Sequence, residues 1–321
     1  MPDRKIIAVI GATGAQGGGM VRAIQADKSG SFAARAITRN PNAEKAQALR
    51  SAGVEVVGAD VDKPETIGKA FAGAYGAFCV TNFWEHFSAE REVTQARNMA
   101  QAAKTAGLQH VIWSTLEDTR KWVPLEDNRM PTLQGKYKVP HFDGKGEADH
   151  FFRDLGVPTT FLLTAFYWEN LIYFGAGPQR GPDGTLAITF PMDEKKLPSI
   201  GVEDIGKAAY GIFKRGREFI NKTVGIAGEH LSGGEIAGAL TRALGQEVRY
   251  NNVPPEVYRS FGFPAADDLG NMFQFKRDFN EYFRGARDLG FTRTLNPELQ
   301  TFEQWLAKHK EQIPLPAGQP A

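Results

Sequence analysis

Lys5-Ile6-Ile7-Ala8-Val9-Ile10-Gly11-Ala12-Thr13-Gly14-Ala15-Gln16-Gly17 is the stretch that decides the fold. A short apolar run ends in three spaced glycines, and a helical pattern follows to Asp27. The order strand, glycine turn, helix is what a pyrophosphate site requires, because unpaired N–H groups and the positive end of a helix dipole then face an anion. Gly11 permits the sharp turn, Gly14 lets the backbone approach the phosphates, and Gly17 lets the helix pack on the strand. Glycine triplets also mark ordinary turns; the position directly behind the first strand gives this one its meaning.

Working outward, the same rhythm repeats. Short runs rich in Val and Ile at 5–10, 33–38, 54–58, 77–80, 110–114 and 159–164 predict six parallel strands with helices between them, the clearest at 17–27 and 88–107. The second helix ends in Ala106-Gly107, a natural stop. The expected fold class is α/β: a Rossmann-type doubly wound parallel sheet over 1–165, then a smaller α/β C-terminal lobe over 166–312, with room for some of its segments to return to the Rossmann sheet. Between 117 and 141 the pattern dissolves into charges, prolines and glycine, and a loop of that length can cover a ligand. In the second lobe, strands are expected at 186–190 and 223–227, helices at 202–214 and 232–244, and aromatic-rich helices to 310. Ser232 with Glu235 three residues on reads as a capping box. Residues 313–321, with three prolines and a glycine, read as a flexible tail.

Composition narrows the function classes. With 38 basic and 37 acidic side chains, no long-range field favours a nucleic-acid backbone or an anionic membrane surface. No basic stripe or reading helix supports direct DNA binding, and no stretch approaches the roughly 20 apolar residues of a membrane span. A single cysteine, Cys79 in an apolar strand, and no signal-peptide pattern point to a reducing, cytoplasmic home, the nucleus also being open in a eukaryote. No metal is called for.

The end of the second strand selects the dinucleotide. An NAD site places a carboxylate there for the ribose 2′-hydroxyl, about 20 residues past the glycines. Here no Asp or Glu occurs from Lys28 to Ala43, and Arg39 stands in that place. A guanidinium makes strong bonds to a 2′-phosphate, and without a carboxylate nothing repels it. NADP(H) is the expected cofactor, unless Arg39 is an ordinary solvated arginine. Asn40 and Pro41 read as cap and first position of the next helix, with Lys45 one turn in adding charge.

Reductases of this fold set a Tyr and a Lys four residues apart on one helical face. In the helix before the sixth strand this chain has His141-Phe142-Asp143-Gly144-Lys145, so the lysine is present and the tyrosine is not. A Tyr210-to-Lys214 pair lies beyond the sixth strand and reads as packing. Catalytic candidates are therefore His141 as proton donor, Lys145 as orienter and Ser114 at the end of strand five. The favoured reading is instead that His141 packs or caps the helix start while Lys145 binds cofactor, since losing an acid of suitable geometry usually means losing the reaction.

Five separate motifs carry a resemblance: 11–18, Thr38-Arg39-Asn40-Pro41, Val80-Thr81-Asn82-Phe83-Trp84-Glu85, 141–147 and Tyr167-Trp168-Glu169-Asn170. Together they resemble the NmrA-like family, an atypical branch of the short-chain dehydrogenase/reductase fold, and most of all its NADPH-sensing members. The resemblance implies a sensor of NADP(H) redox state rather than an efficient dehydrogenase, working as a homodimer or through a regulatory protein partner. It also implies that Gly11, Ala12, Thr13, Gly14, Ala15 and Gln16 cradle the pyrophosphate and Arg39 the 2′-phosphate. Asp60 and Val61 would sit by the adenine, Thr81, Asn82 and Phe83 along the ribose and nicotinamide, and Lys145 by the nicotinamide ribose. Tyr167, Trp168, Glu169 and Asn170 would close over the nicotinamide end, and Thr94 stands where the family pattern has a lysine. The rival function is an NADPH-dependent reductase of small quinone or carbonyl compounds.

Overall fold

The run 5–10 forms strand β1 (Lys5–Ile10), its last four residues buried, and the glycine turn releases helix α1 (Ala15–Ala26). The computed structural model describes residues 4–28, 30–181 and 183–316, which divide into two units. The first unit holds the chain up to Asp118, Pro140–Thr164 and Val202–Val224.

After α1 the first unit runs β2 (Phe32–Thr38), α2 (Glu44–Ser51), β3 (Glu55–Gly58), α3 (Pro64–Phe71), β4 (Gly76–Cys79), α4 (Ala89–Thr105), β5 (His110–Thr115), α5 (Pro140–Asp154) and β6 (Thr159–Leu163). The strands lie in the order β3-β2-β1-β4-β5-β6, parallel throughout, with Thr223–Gly225 beside β6 as a seventh. Strand order reverses between β1 and β4, the switch point at which doubly wound sheets hold ligands. Period-two alternation sends Ala8, Ala77, Cys79, Val111 and Trp113 into a core shared with α3, α4 and α5. Ile7, Val9, Phe78 and Ile112, which alternate with them, are equally buried. Both faces are covered, and every residue of β4 and β5 is buried.

In the second unit, two three-stranded sheets form: Phe166–Tyr167, Leu197–Ile200 and Glu229–Leu231, and separately Gln179–Arg180, Leu186–Thr189 and Val248–Asn251. Ser232 caps the helix Gly233–Leu244 through the expected box with Glu235, and Gly245 ends it with φ 71°. Phe302 and Trp305 stack on each other, and the buried Trp168 ring is tilted against both.

A single cut near 165 does not describe these units. The helix Val202–Lys214, placed by its sequence in the second lobe, packs on α1 in the first unit because its apolar face matches that helix. Thr119–Val139 belongs to the second unit. There the buried Lys138 ammonium donates to the carbonyls of Leu125, Asp127 and Met130 at 3.1, 2.8 and 3.0 Å. Asn271, on the helix Ala266–Asp278, donates to the carbonyls of Pro131 and Lys138. The loop is thus tied down by its own Lys138 and by Asn271 of that helix. Nor does the tail begin at 313, since Ile313 is buried and Arg180 donates to the Pro316 carbonyl; 317–321 lie outside the described residues. No helix among the described residues is long and apolar enough to cross a membrane.

Candidate functional site

At the mouth of the first unit, Gly11 takes φ 64° and Gly14 is the N-cap of α1, with no side-chain cap. Gly14 N donates back to the Gly11 carbonyl at 2.8 Å, and Ala12 N to the Ile37 carbonyl at 3.2 Å. A Cβ on Gly17 would lie 2.4 Å from the Gly11 oxygen, so the turn and the helix touch as only glycine allows. The loop Gly11, Ala12, Thr13, Gly14 therefore wraps an uncapped helix start of Ala15, Gln16 and Gly17, a cradle that fits a diphosphate. Ser114 donates its hydroxyl to Gln16 Oε1 at 2.8 Å, which brings the end of β5 to the same mouth.

Arg39 follows β2 directly, and its guanidinium pairs with Glu85 in the short 3-10 turn Phe83–Glu85. The hydrogen bond it donates to Glu85 first, then the charges of Glu85, Asp60 and Asp62, hold the guanidinium above its ordinary value against partial burial. No acidic residue precedes Arg39 nearby in sequence; the carboxylate arrives from 46 positions away. The reading of Asn40 and Pro41 needs correction. Asn40 Oδ1 accepts from Asn42 N in an Asx turn, and α2 starts later, at Glu44 with Ala43 as its cap. Lys45 is exposed in the first turn of α2. Asp60 and Val61 follow β3, where Asp60 Oδ1 accepts from Asp62 N at 3.0 Å and the Val61 carbonyl from Asn98 at 2.9 Å. Arg91 holds Asp62 at 2.5 Å and Gln95 holds it at 3.1 Å, binding this loop to α4.

Beyond β4 the chain turns inward. Asn82 is exposed, whereas Thr81 is buried and donates to Glu92 Oε1 at 2.6 Å. Lys145 Nζ donates to the same Glu92 oxygen and to Thr81 Oγ1, both at 2.6 Å, and to the Thr81 carbonyl at 3.2 Å. Helix α5 begins at Pro140, so His141 lies one turn before Lys145 on the same face. The buried His141 ring stands 4.9 Å from Trp84 and 5.8 Å from Phe83. Thr94 is exposed and bonds the carbonyl of Glu90 in its own helix.

Glu92 escaped the sequence reading, although its signal was present: it interrupts the buried face of α4 formed by Ala89, Val93, Ala96, Met99, Ala100 and Ala103. A carboxylate on such a face needs a buried partner. Tyr210 and Lys214 do lie on a packing helix. The phenol donates to Asp27 at 2.6 Å, and burial first, with Asp27 adding, pushes it up and away from acid chemistry. Burial likewise pushes up the Cys79 thiol. Tyr167, Trp168, Glu169 and Asn170 all belong to the second unit. There Trp168 donates to Ser199 Oγ and Glu169 accepts from the Trp305 indole, both at 2.9 Å, while Asn170 opens a short helix to Tyr173.

Comparison with known proteins gives a consistent answer. A family model described as the NmrA-like family matches residues 3–306. The NmrA-like family domain-containing oxidoreductase FrzB of Cladobotryum sp is 30% identical, over 84% of this chain and 83% of that protein. An NmrA-like family domain-containing protein of Dictyostelium discoideum is 27% identical, over 95% and 97%. Among solved structures, NmrA, a negative transcriptional regulator, in complex with NADP superimposes with a TM-score of 0.76 at 25% identity, covering 94% of each chain. The same regulator has been solved with NAD, at the same TM-score.

Proposed function

The chain belongs to the NmrA-like family, and from that premise we propose that it is an NADP(H)-binding regulatory protein that senses cofactor redox state and lacks efficient dehydrogenase activity. The glycine cradle at an uncapped helix start supports the dinucleotide, as does the NADP complex of the related regulator. Arg39, Asn40 and Lys45 would take the adenosine 2′-phosphate, Asp60 and Val61 the adenine, and Thr81, Asn82, Phe83 and Lys145 the nicotinamide half.

One observation carries the regulatory part. The place of the reductase tyrosine is held by His141 packed among rings, and the Lys145 ammonium is committed to Thr81 and buried Glu92. Bound cofactor would supply a hydride, but a histidine packed among rings, and not a phenol, stands at the proton donor's place on α5. We place the protein in the reducing cytoplasm, acting as a homodimer or on a protein partner through a surface that differs between liganded and free states. Hydrogen exchange tests this: NADPH is expected to alter protection across 81–88, and an identical pattern with and without NADPH contradicts the sensor.

A second reading is favoured by the start of α5 at Pro140, which sets His141 and Lys145 one turn apart, and by the oxidoreductase name of FrzB. In it the chain reduces a small quinone or carbonyl compound, with His141 giving the proton to the acceptor oxygen. Steady NADPH consumption over a panel of such acceptors, abolished in His141→Gln, would establish it; stoichiometric binding without turnover would exclude it.

A further inference from the structure

Arg39 and Lys145, the two cations proposed for the cofactor, are both answered by carboxylates of one stretch, Glu85 and Glu92. The inner pair is sealed: Lys145 and Glu92 side chains are 10% and 0% exposed, against 58% and 38% for Arg39 and Glu85. Of the three carboxylates whose charge reaches Arg39, Asp62 is taken by Arg91 and Gln95, and Asp60 binds the Asp62 amide. Glu85 is the one hydrogen-bonded to the guanidinium.

We propose that Glu85 is a specificity residue: its carboxylate occupies on Arg39 the position of a ribose 2′-phosphate, so a nucleotide carrying that phosphate must displace it and one with a free 2′-hydroxyl need not. This rests on the dinucleotide reading above and says how the phosphate is converted into motion. Glu85 ends a turn that also carries Phe83, 2% exposed, and Trp84, whose ring faces His141. Two residues on, Phe87 is held at φ 53°, a conformation that costs a non-glycine residue energy and is released when the turn rearranges. Movement is bounded on both sides. Thr81 is fixed by Lys145 and Glu92, and Ser88 caps α4 by accepting from Arg91 N at 3.2 Å. Expulsion of Glu85 therefore acts on 82–87 and turns Trp84 against His141.

The test uses nucleotides without a nicotinamide. Adenosine 2′,5′-bisphosphate and adenosine 5′-monophosphate are titrated by calorimetry into the full chain, Glu85→Gln and Arg39→Ala, and Trp84 emission is isolated by subtracting Trp84→Phe. Glu85→Gln is expected to bind the bisphosphate about 1.5- to fivefold tighter, the range of an exposed ion pair, with the monophosphate unchanged. In the wild type, the bisphosphate but not the monophosphate is expected to change Trp84 emission. Equal bisphosphate affinity in wild type and Glu85→Gln, with Arg39→Ala impaired, overturns the role of Glu85 and leaves the dinucleotide site standing. Identical Trp84 signals from both nucleotides overturn the link to the turn. Bisphosphate affinity insensitive to Arg39→Ala overturns the site reading itself and the proposal with it.

Discussion

Arg39–Glu85 and Lys145–Glu92 are the same chemistry in opposite surroundings. Water reaches the outer pair from a loop on either side, so its attraction is screened and an exposed pair of this kind is worth about 0–1 kcal/mol. The inner pair, between α4 and α5, has lost its hydration, and either ion alone would be left in an apolar interior. A cation meant to exchange its partner for a ligand belongs in the first setting. One that holds two helices in register, and meets a ligand without giving up its partners, belongs in the second.

The sharpest way to break this contrast is to remove one inner partner. Lys145→Met or Glu92→Leu alone is expected to cost about 3–5 kcal/mol in urea unfolding, and the double variant to regain most of it, because an unpaired buried charge is the penalty in each single change. Additive losses would mean that the pair is not coupled. His110 calibrates burial without charge: it lies fully buried in β5, bonded to Thr160 at 2.8 Å, and desolvation pushes its imidazole down to about 4. A value depressed below that of the unfolded chain means that stability is complete above about pH 6.5 and is lost as pH falls toward 4, about 3 kcal/mol in all. Replacing His110 with a non-titrating residue should flatten that part of the pH profile. A smaller loss, about 1–3 kcal/mol, is expected for Gly17→Ala at the turn both ends share, because its Cβ would meet the Gly11 carbonyl. Smallest of all, Arg39→Ala and Glu85→Gln should each leave unfolding within about 1 kcal/mol of wild type; a larger change would make the outer pair structural.

What the sequence showed follows from how far each interaction reaches along the chain. Strand, glycine turn and helix are local, and β1 runs over the expected residues while β2 to β6 shift by a residue at their ends; the seventh strand, Thr223–Gly225, was expected at 223–227 in the second lobe and instead joins this sheet. The ending at Ala106-Gly107 and the box at Ser232 and Glu235 are local too, and both form. Asn40 misled because an Asx turn and a helix cap use the same side-chain oxygen, and the next three residues do not say which comes first. The helix Val202–Lys214 was legible as amphipathic, but amphipathicity states that a face is buried and not what buries it. Arg39 could be read from its place after β2. Its partner Glu85, like the pairing of Glu92 with Lys145, depends on elements 46 and 53 positions apart, which no local pattern encodes.

Everything proposed for the nucleotide depends on Arg39 reading a ribose 2′-phosphate beside the glycine cradle. Calorimetric titration of NADPH and NADH into the wild type and Arg39→Ala tests it most directly. The wild type is expected to prefer NADPH and the variant to lose that preference by a factor of about 10 to 150, since each charge-assisted bond is worth about 1.5–3 kcal/mol. Equal affinity for the two cofactors in the wild type, or an unchanged preference in Arg39→Ala, would contradict it.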